Sequence, residues 1–138
     1  MKILGSVFAR TGVAVILLSS VPAFAHHSYT RFDMAKTVKL EGTVKEFQWT
    51  NPHVWIQLLV KDPATGQEVE WSIESDSPNM LARRGWTRKA LQPGDKATMV
   101  VHPLKITSST LSGALDSVLV NGKKIGEVAA RPAEGAGQ

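Results

Sequence analysis

Four histidines, His26, His27, His53 and His102, are the side chains of this chain best suited to chemistry, and two of them stand where a leader peptide ends. Lys2 and Arg10 form a positive start, Gly12 to Val21 is an apolar run, and Ala23-Phe24-Ala25 is a small-x-small cleavage signal. Cleavage after Ala25 makes His26 the new amino terminus, its α-amine beside two imidazoles. That amine, the His26 ring and a third imidazole from His53 or His102 would form a T-shaped nitrogen set. Such a set suits Cu(II), and imidazole also suits zinc. Copper or zinc is therefore the cofactor class the residues point to, with His27 available as a further ligand. Two features weaken the chelate. Adjacent histidines on an extended arm point to opposite sides, and Ser28 holds the third position, where square-planar peptide binding wants histidine. The plain alternative for His53, in Asn51-Pro52-His53, and for His102, before Pro103, is a ring that caps local backbone.

A second constellation is aromatic. Trp49, Asn51, His53, Trp55 and Glu70 gather at the joint between the first two strands and on the neighbouring third, with Phe47 close by and Ser72 and Glu74 following Glu70. A tryptophan with amide and acidic neighbours holds a sugar, a cationic group or a peptide edge. The competing expectation is that the N-terminal arm covers this patch through Tyr29 and Phe32. A third group is Arg83-Arg84 with Arg88 and Lys89 around Gly85-Trp86. Arginines beside an exposed indole would bind an anion, whereas a basic pair ending a helix is more simply a solvated face. Nothing in the spacing makes the carboxylates of Asp76 and Asp116 converge. The chain has no GxSxG elbow, no phosphate loop and no GxGxxG fingerprint, so the expectation is a protein without catalysis.

Composition narrows the classes further. Cysteine is absent, which excludes thiolate catalysis, iron–sulfur clusters and disulfide bracing in an oxidising compartment. It also excludes an acylated cysteine at the mature amino end. Without the 25-residue leader and its two basic residues, the 138-residue chain becomes a single small domain with fourteen basic and twelve acidic residues. That balance is too even to signal a nucleic-acid partner. No second apolar run approaches the ~18 residues that suggest a membrane span, so a soluble periplasmic protein is expected, with a small ligand or an envelope protein as partner.

These groups must be held by strands. Residues 26–37 read as an extended arm. Val38, Leu40, Gly42 and Val44 alternate with Lys39, Glu41, Thr43 and Lys45, a half-buried strand whose pattern slips near Glu46, as at a bulge. Val54, Ile56, Leu58 and Val60 face one side of a second strand, with Trp55 and Gln57 opposite. Val69, Trp71 and Ile73 do the same in a third, which predicts a buried Trp71. Ser77-Pro78 opens a helix and Gly85 stops it. Gln92-Pro93-Gly94-Asp95 turns into a fourth strand, Lys96 to His102, and Leu111 to Val120 is a fifth. Asn121-Gly122 then returns a short hairpin arm. The domain spans 38–126, and the small-residue tail 127–138 is expected to be disordered. Three strands, a helix and two strands predict a mostly β fold, a five-stranded OB-like Greek-key barrel with one short helix between strands 3 and 4.

The runs AHHSYTRFD, LEGTVKEFQWTNPHVWIQLLV, WSIESDSPNMLARRGW, LQPGD and VHPLK resemble a family of small exported bacterial proteins catalogued as a domain of unknown function. The resemblance covers about His26 to Ile125. It implies export and a compact barrel, and it brings no residue roles. The reading of the residues themselves is a non-catalytic periplasmic binding module. Its alternatives are a copper or zinc protein and an envelope interaction module whose barrel edge accepts a strand.

Overall fold

A computed structural model describes residues 29–106 and 110–126. The expected leader, His26, His27 and the tail 127–138 lie outside the described residues. Five strands close a barrel: β1 (Val38–Gln48), β2 (Trp55–Lys61), β3 (Glu68–Glu74), β4 (Lys96–Pro103) and β5 (Ser112–Val120), with one short helix, α1 (Pro78–Arg83), between β3 and β4. The pairing runs β3-β2-β1-β4-β5 and closes through β3–β5. Every contact is antiparallel except the closing one, which joins Ser72–Glu74 to Ser112–Ala114 in parallel. This is the OB-like barrel that the order of elements predicts.

β1 serves two partners, β4 over Val38–Thr43 and β2 over Gly42–Gln48. Gly42 sits at the handover, opposite both Val60 and Ala97, and a Cβ there would lie 2.2 Å from the Leu59 carbonyl oxygen. Only glycine allows that approach. The slip near Glu46 is a bulge, since Val44 faces Leu58 and Glu46 faces Gln57, leaving Lys45 unopposed. Asn121 and Gly122 both have positive φ, 48° and 78°, as a two-residue hairpin turn requires, and they return β6 (Lys123–Lys124) onto β5.

One face of each strand fills the barrel. Leu40, Val44, Ile56, Leu58, Ile73, Met99, Val101 and Leu115 are all buried there. Trp86, only 2% exposed, packs with Leu81 and Leu91 at the end where β1 finishes, its ring 6.3 Å from Phe47. The anion site that an exposed indole among arginines would make is thereby ruled out, and the arginines are left as the end of a helix. Trp86 follows the glycine that stops α1 (Gly85, φ 86°), and the chain turns it inward to cover the barrel end. Pro78 takes the first helical turn as predicted, while the Ser77 side chain makes no capping bond.

Candidate functional site

The arm leads to the most polar buried corner of the protein. Tyr29–Arg31 form a single 3-10 turn, and the chain then runs along the continuation of β4. Phe32 bridges Leu104, the Asp33 amide donates to the Pro103 carbonyl at 2.7 Å, and the Lys105 amide donates to the Arg31 carbonyl at 2.9 Å. Phe32 is completely buried. These bonds bring Tyr29 and Arg31 to the ends of β2 and β3.

There the buried carboxylates Glu74 and Asp76 meet groups from both the arm and the barrel domain. Arg31 Nη2 donates to Glu74 Oε2 at 2.6 Å, and His53 Nδ1 lies 2.6 Å from Glu74 Oε1. The Tyr29 hydroxyl donates to Asp76 Oδ1 at 3.1 Å, and Arg84 Nη1 pairs with Asp76 Oδ2. An unpaired carboxylate in this setting would be costly, and charge-assisted hydrogen bonds offset that cost. The Arg31 guanidinium also lies over the Trp55 ring, 5.7 Å from its centroid, and the Tyr29 ring is 6.1 Å from that of His53. Tryptophan, acid and cation do meet here, but the cation belongs to the chain itself. Glu74 stands opposite Trp55 as the strand phases predict. The expectation that it lines an open face fails, because the arm contributes its partner.

The other expected ligand residues divide. Trp49 packs at the far side of the strand joint, its ring 5.8 Å from Phe47. Asn51 is exposed in the turn, before a cis peptide bond to Pro52. Glu70 is exposed and paired with Lys45, which raises the Lys45 pKa. His102 is buried at the end of β4, its Nδ1 2.8 Å from the Lys36 carbonyl and its Nε2 3.6 Å from Asp116 Oδ1. Asp116 is the extra residue of a bulge in β5, far in its bonding from Asp76, which is held by Tyr29 and Arg84. His53 and His102 thus keep separate partners. Among the described residues no three His, Cys, Asp or Glu side chains converge as a metal site.

The open concavity lies at the other end of the barrel, where β1 and β3 begin and β2 ends. It is a cavity of about 440 Å³ walled by Val38, Leu40, Val60, Val69, Trp71 and Leu111. Trp71 has the inward phase that the sequence predicts, yet it is only half-buried, because β5 joins β3 no earlier than Ser72 and leaves the indole as a wall. The predicted full burial is corrected accordingly. A second hollow of about 170 Å³ lies beyond the same indole, lined by Pro103, Leu104, Ile106 and Leu111. Sequence reasoning missed this site. Its one signal was a tryptophan in core phase near the start of a strand.

The outer face of β1–β2–β3 carries both signs of charge. Lys39 Nζ binds Glu41 Oε1 at 2.7 Å, which holds the Glu41 carboxyl below its usual range, and Glu46 and Glu68 are exposed beside these pairs. Among the described residues no helix is long and apolar enough to cross a membrane.

Solved structures similar to this chain include three crystal structures of the mitochondrial single-stranded DNA binding protein Rim1 of S. cerevisiae. Identity is 11–14%, TM-scores are 0.46–0.48, and the match covers 64–67% of this chain and 95–98% of those chains. No curated protein matches. A family model described as a family of unknown function, DUF6152, matches residues 14–112. With most of its barrel and its arm inside that match, the chain belongs to the DUF6152 family.

Proposed function

We propose that the protein is a non-catalytic binding module of the periplasm that takes its ligand at the barrel mouth beside Trp71. The observation that carries this reading is the 440 Å³ cavity with a half-buried indole in its wall. Ligand pockets fall in a range of roughly 300–1,000 Å³ and are mostly apolar with a few polar groups at the edge. The charged residues at the rim, Lys39, Glu41, Lys61 and Asp62, balance in sign, and the Lys39–Glu41 pair is closed, so the cavity favours a neutral, largely apolar occupant. The Trp55 corner is a poorer site, because Arg31 and Tyr29 already occupy it. Export rests on the leader pattern of residues 1–25. Nucleic acid is disfavoured, since the exposed Lys39, Lys45 and Lys61 are matched by Glu41, Glu46, Glu68 and Glu70 along β1–β3, which leaves no net positive track for a phosphate backbone.

The test is titration of the processed protein with the neutral dye N-phenyl-1-naphthylamine. Trp71→Ala should weaken binding by about tenfold or more, on the order of 1.4 kcal/mol, while Trp55→Ala leaves it unchanged. Absence of binding, or equal binding by both variants, overturns the site.

A second reading, copper or zinc held by the mature amino terminus, gains one specific support. Tyr29 lies against His53, and His26 and His27 are three and two residues upstream of Tyr29. At ~3.3–3.6 Å per residue, both are within reach of His53.

A further inference from the structure

Among the described residues the edge of β3 turned away from β2 is unpaired over Glu68–Trp71, and that stretch borders the cavity. All seven of its residues pair with β2, from Glu68 opposite Lys61 to Glu74 opposite Trp55. Only Ser72–Glu74 pair with β5. The Ser72 amide donates to the Leu111 carbonyl at 3.0 Å, so residue 72 directs its main-chain groups away from β2. By strand alternation Glu70 and Glu68 do the same. Their amides and carbonyls therefore face the side that β5 has left, and both residues are exposed. The alternate residues, Val69 and Trp71, turn their side chains into the larger cavity, and Trp71 also lines the smaller hollow. Ile106, at the edge of that hollow, is 79% exposed. Glu68 has no ion-pair partner among the described residues, although Lys61 stands opposite it.

An open strand edge gives main-chain hydrogen bonds to an extended peptide, and pockets beside it select alternate side chains. A strand laid against Glu68–Trp71 would point one set of side chains into the apolar hollows on either side of Trp71. The other set would stand beside Glu68 and Glu70 on the outer face, where a basic residue opposite a free carboxylate is stabilising. We propose that this edge binds an extended segment of an envelope protein in which apolar and basic residues alternate, added as a strand to β3. The proposal rests on the reading of the Trp71 mouth as the ligand site and names its ligand class.

The probe is a capped hexapeptide alternating valine and lysine, titrated by calorimetry into the processed full chain. Trp71→Ala should weaken it at least tenfold. Glu68→Lys should weaken it as well, and a valine–glutamate hexapeptide should bind that variant better than it binds the wild type. N-methylation of the peptide leaves side chains in place and removes main-chain donors. Methylated lysines should abolish antiparallel addition and methylated valines parallel addition, so one set abolishes binding and the other does not. Equal binding of both methylated peptides, or no charge reversal at Glu68, overturns strand addition. If the neutral dye binds at Trp71 and the peptide does not, the strand proposal fails and the binding reading stands. If neither binds, both fail.

Discussion

Arg31 of the arm and Glu74 of β3 meet at 2.6 Å, and the acid is 1% exposed while the base keeps 48% of its side-chain surface. The pair is asymmetric: the carboxylate depends on the arm more than the arginine depends on the carboxylate. The described part of the arm is therefore a structural part of the domain, held by Tyr29 and Arg31 and, further along, by Phe32 and Asp33.

Arg31→Ala should destabilise the protein by about 1–3 kcal/mol, because it takes a charged hydrogen-bond donor away from the buried Glu74 carboxylate. The lower part of that range is expected, since Arg31 is half in water. In a Glu74→Gln background the same substitution should cost less, because no buried charge is left behind. Denaturant melts of the four proteins in this cycle give the coupling. Strict additivity would mean that the ion pair contributes nothing. Amide exchange at Phe32 and Asp33 should also quicken in Arg31→Ala, as the arm loses its anchor.

The tryptophans divide into a core residue and a wall. Trp86→Ala should cost on the order of 3–5 kcal/mol, the usual range for removing a large buried aromatic. Trp71→Ala should cost clearly less, because its indole already borders open space and its removal enlarges a cavity rather than creating one. Trp86→Phe should fall between, since the indole nitrogen has no hydrogen-bond partner among the described residues. Melts that rank Trp71→Ala above Trp86→Ala would overturn the assignment of core and wall.

Much of the barrel was legible because alternation is a local signal. The phases of β1, β2 and β3, the slip near Glu46, the proline that opens α1 and the Asn121-Gly122 return all follow from residues within a few positions of one another. The site was less legible, because long-range contacts decide it. Tyr29 reaches Asp76 and Arg31 reaches Glu74 across more than forty positions. No local pattern marks an arginine that will lie over a tryptophan. The register at which β5 joins β3 likewise decides that Trp71 is a wall, and Ser72 opposite Ser112 has no sequence signature. Trp86 left two readings open for a related reason. Its flanking arginines describe the helix end, while its own burial comes from Phe47 and the barrel interior.

The histidines make the last prediction, and the arm narrows it. Intact-mass measurement of exported protein should give a chain beginning at His26, as Ala23-Phe24-Ala25 predicts. If the α-amine and the His26 ring bind Cu(II), His53 is the better third ligand. Tyr29 packs against its ring, and Glu74 engages only its Nδ1, whereas both His102 nitrogens face partners, Nδ1 the Lys36 carbonyl and Nε2 Asp116. His53→Ala should therefore weaken copper binding by about tenfold or more, the effect of about 1.4 kcal/mol, and His102→Ala should leave it unchanged. A single residue added before His26 should weaken binding in either background, because it moves the amine away from the chelating ring and leaves every imidazole in place. Zinc should bind the same protein more weakly than copper. Calorimetry on the processed chain, the extended chain and the two alanine variants decides the matter. Equal copper affinity across all four would remove the metal reading and leave the Trp71 mouth as the functional site.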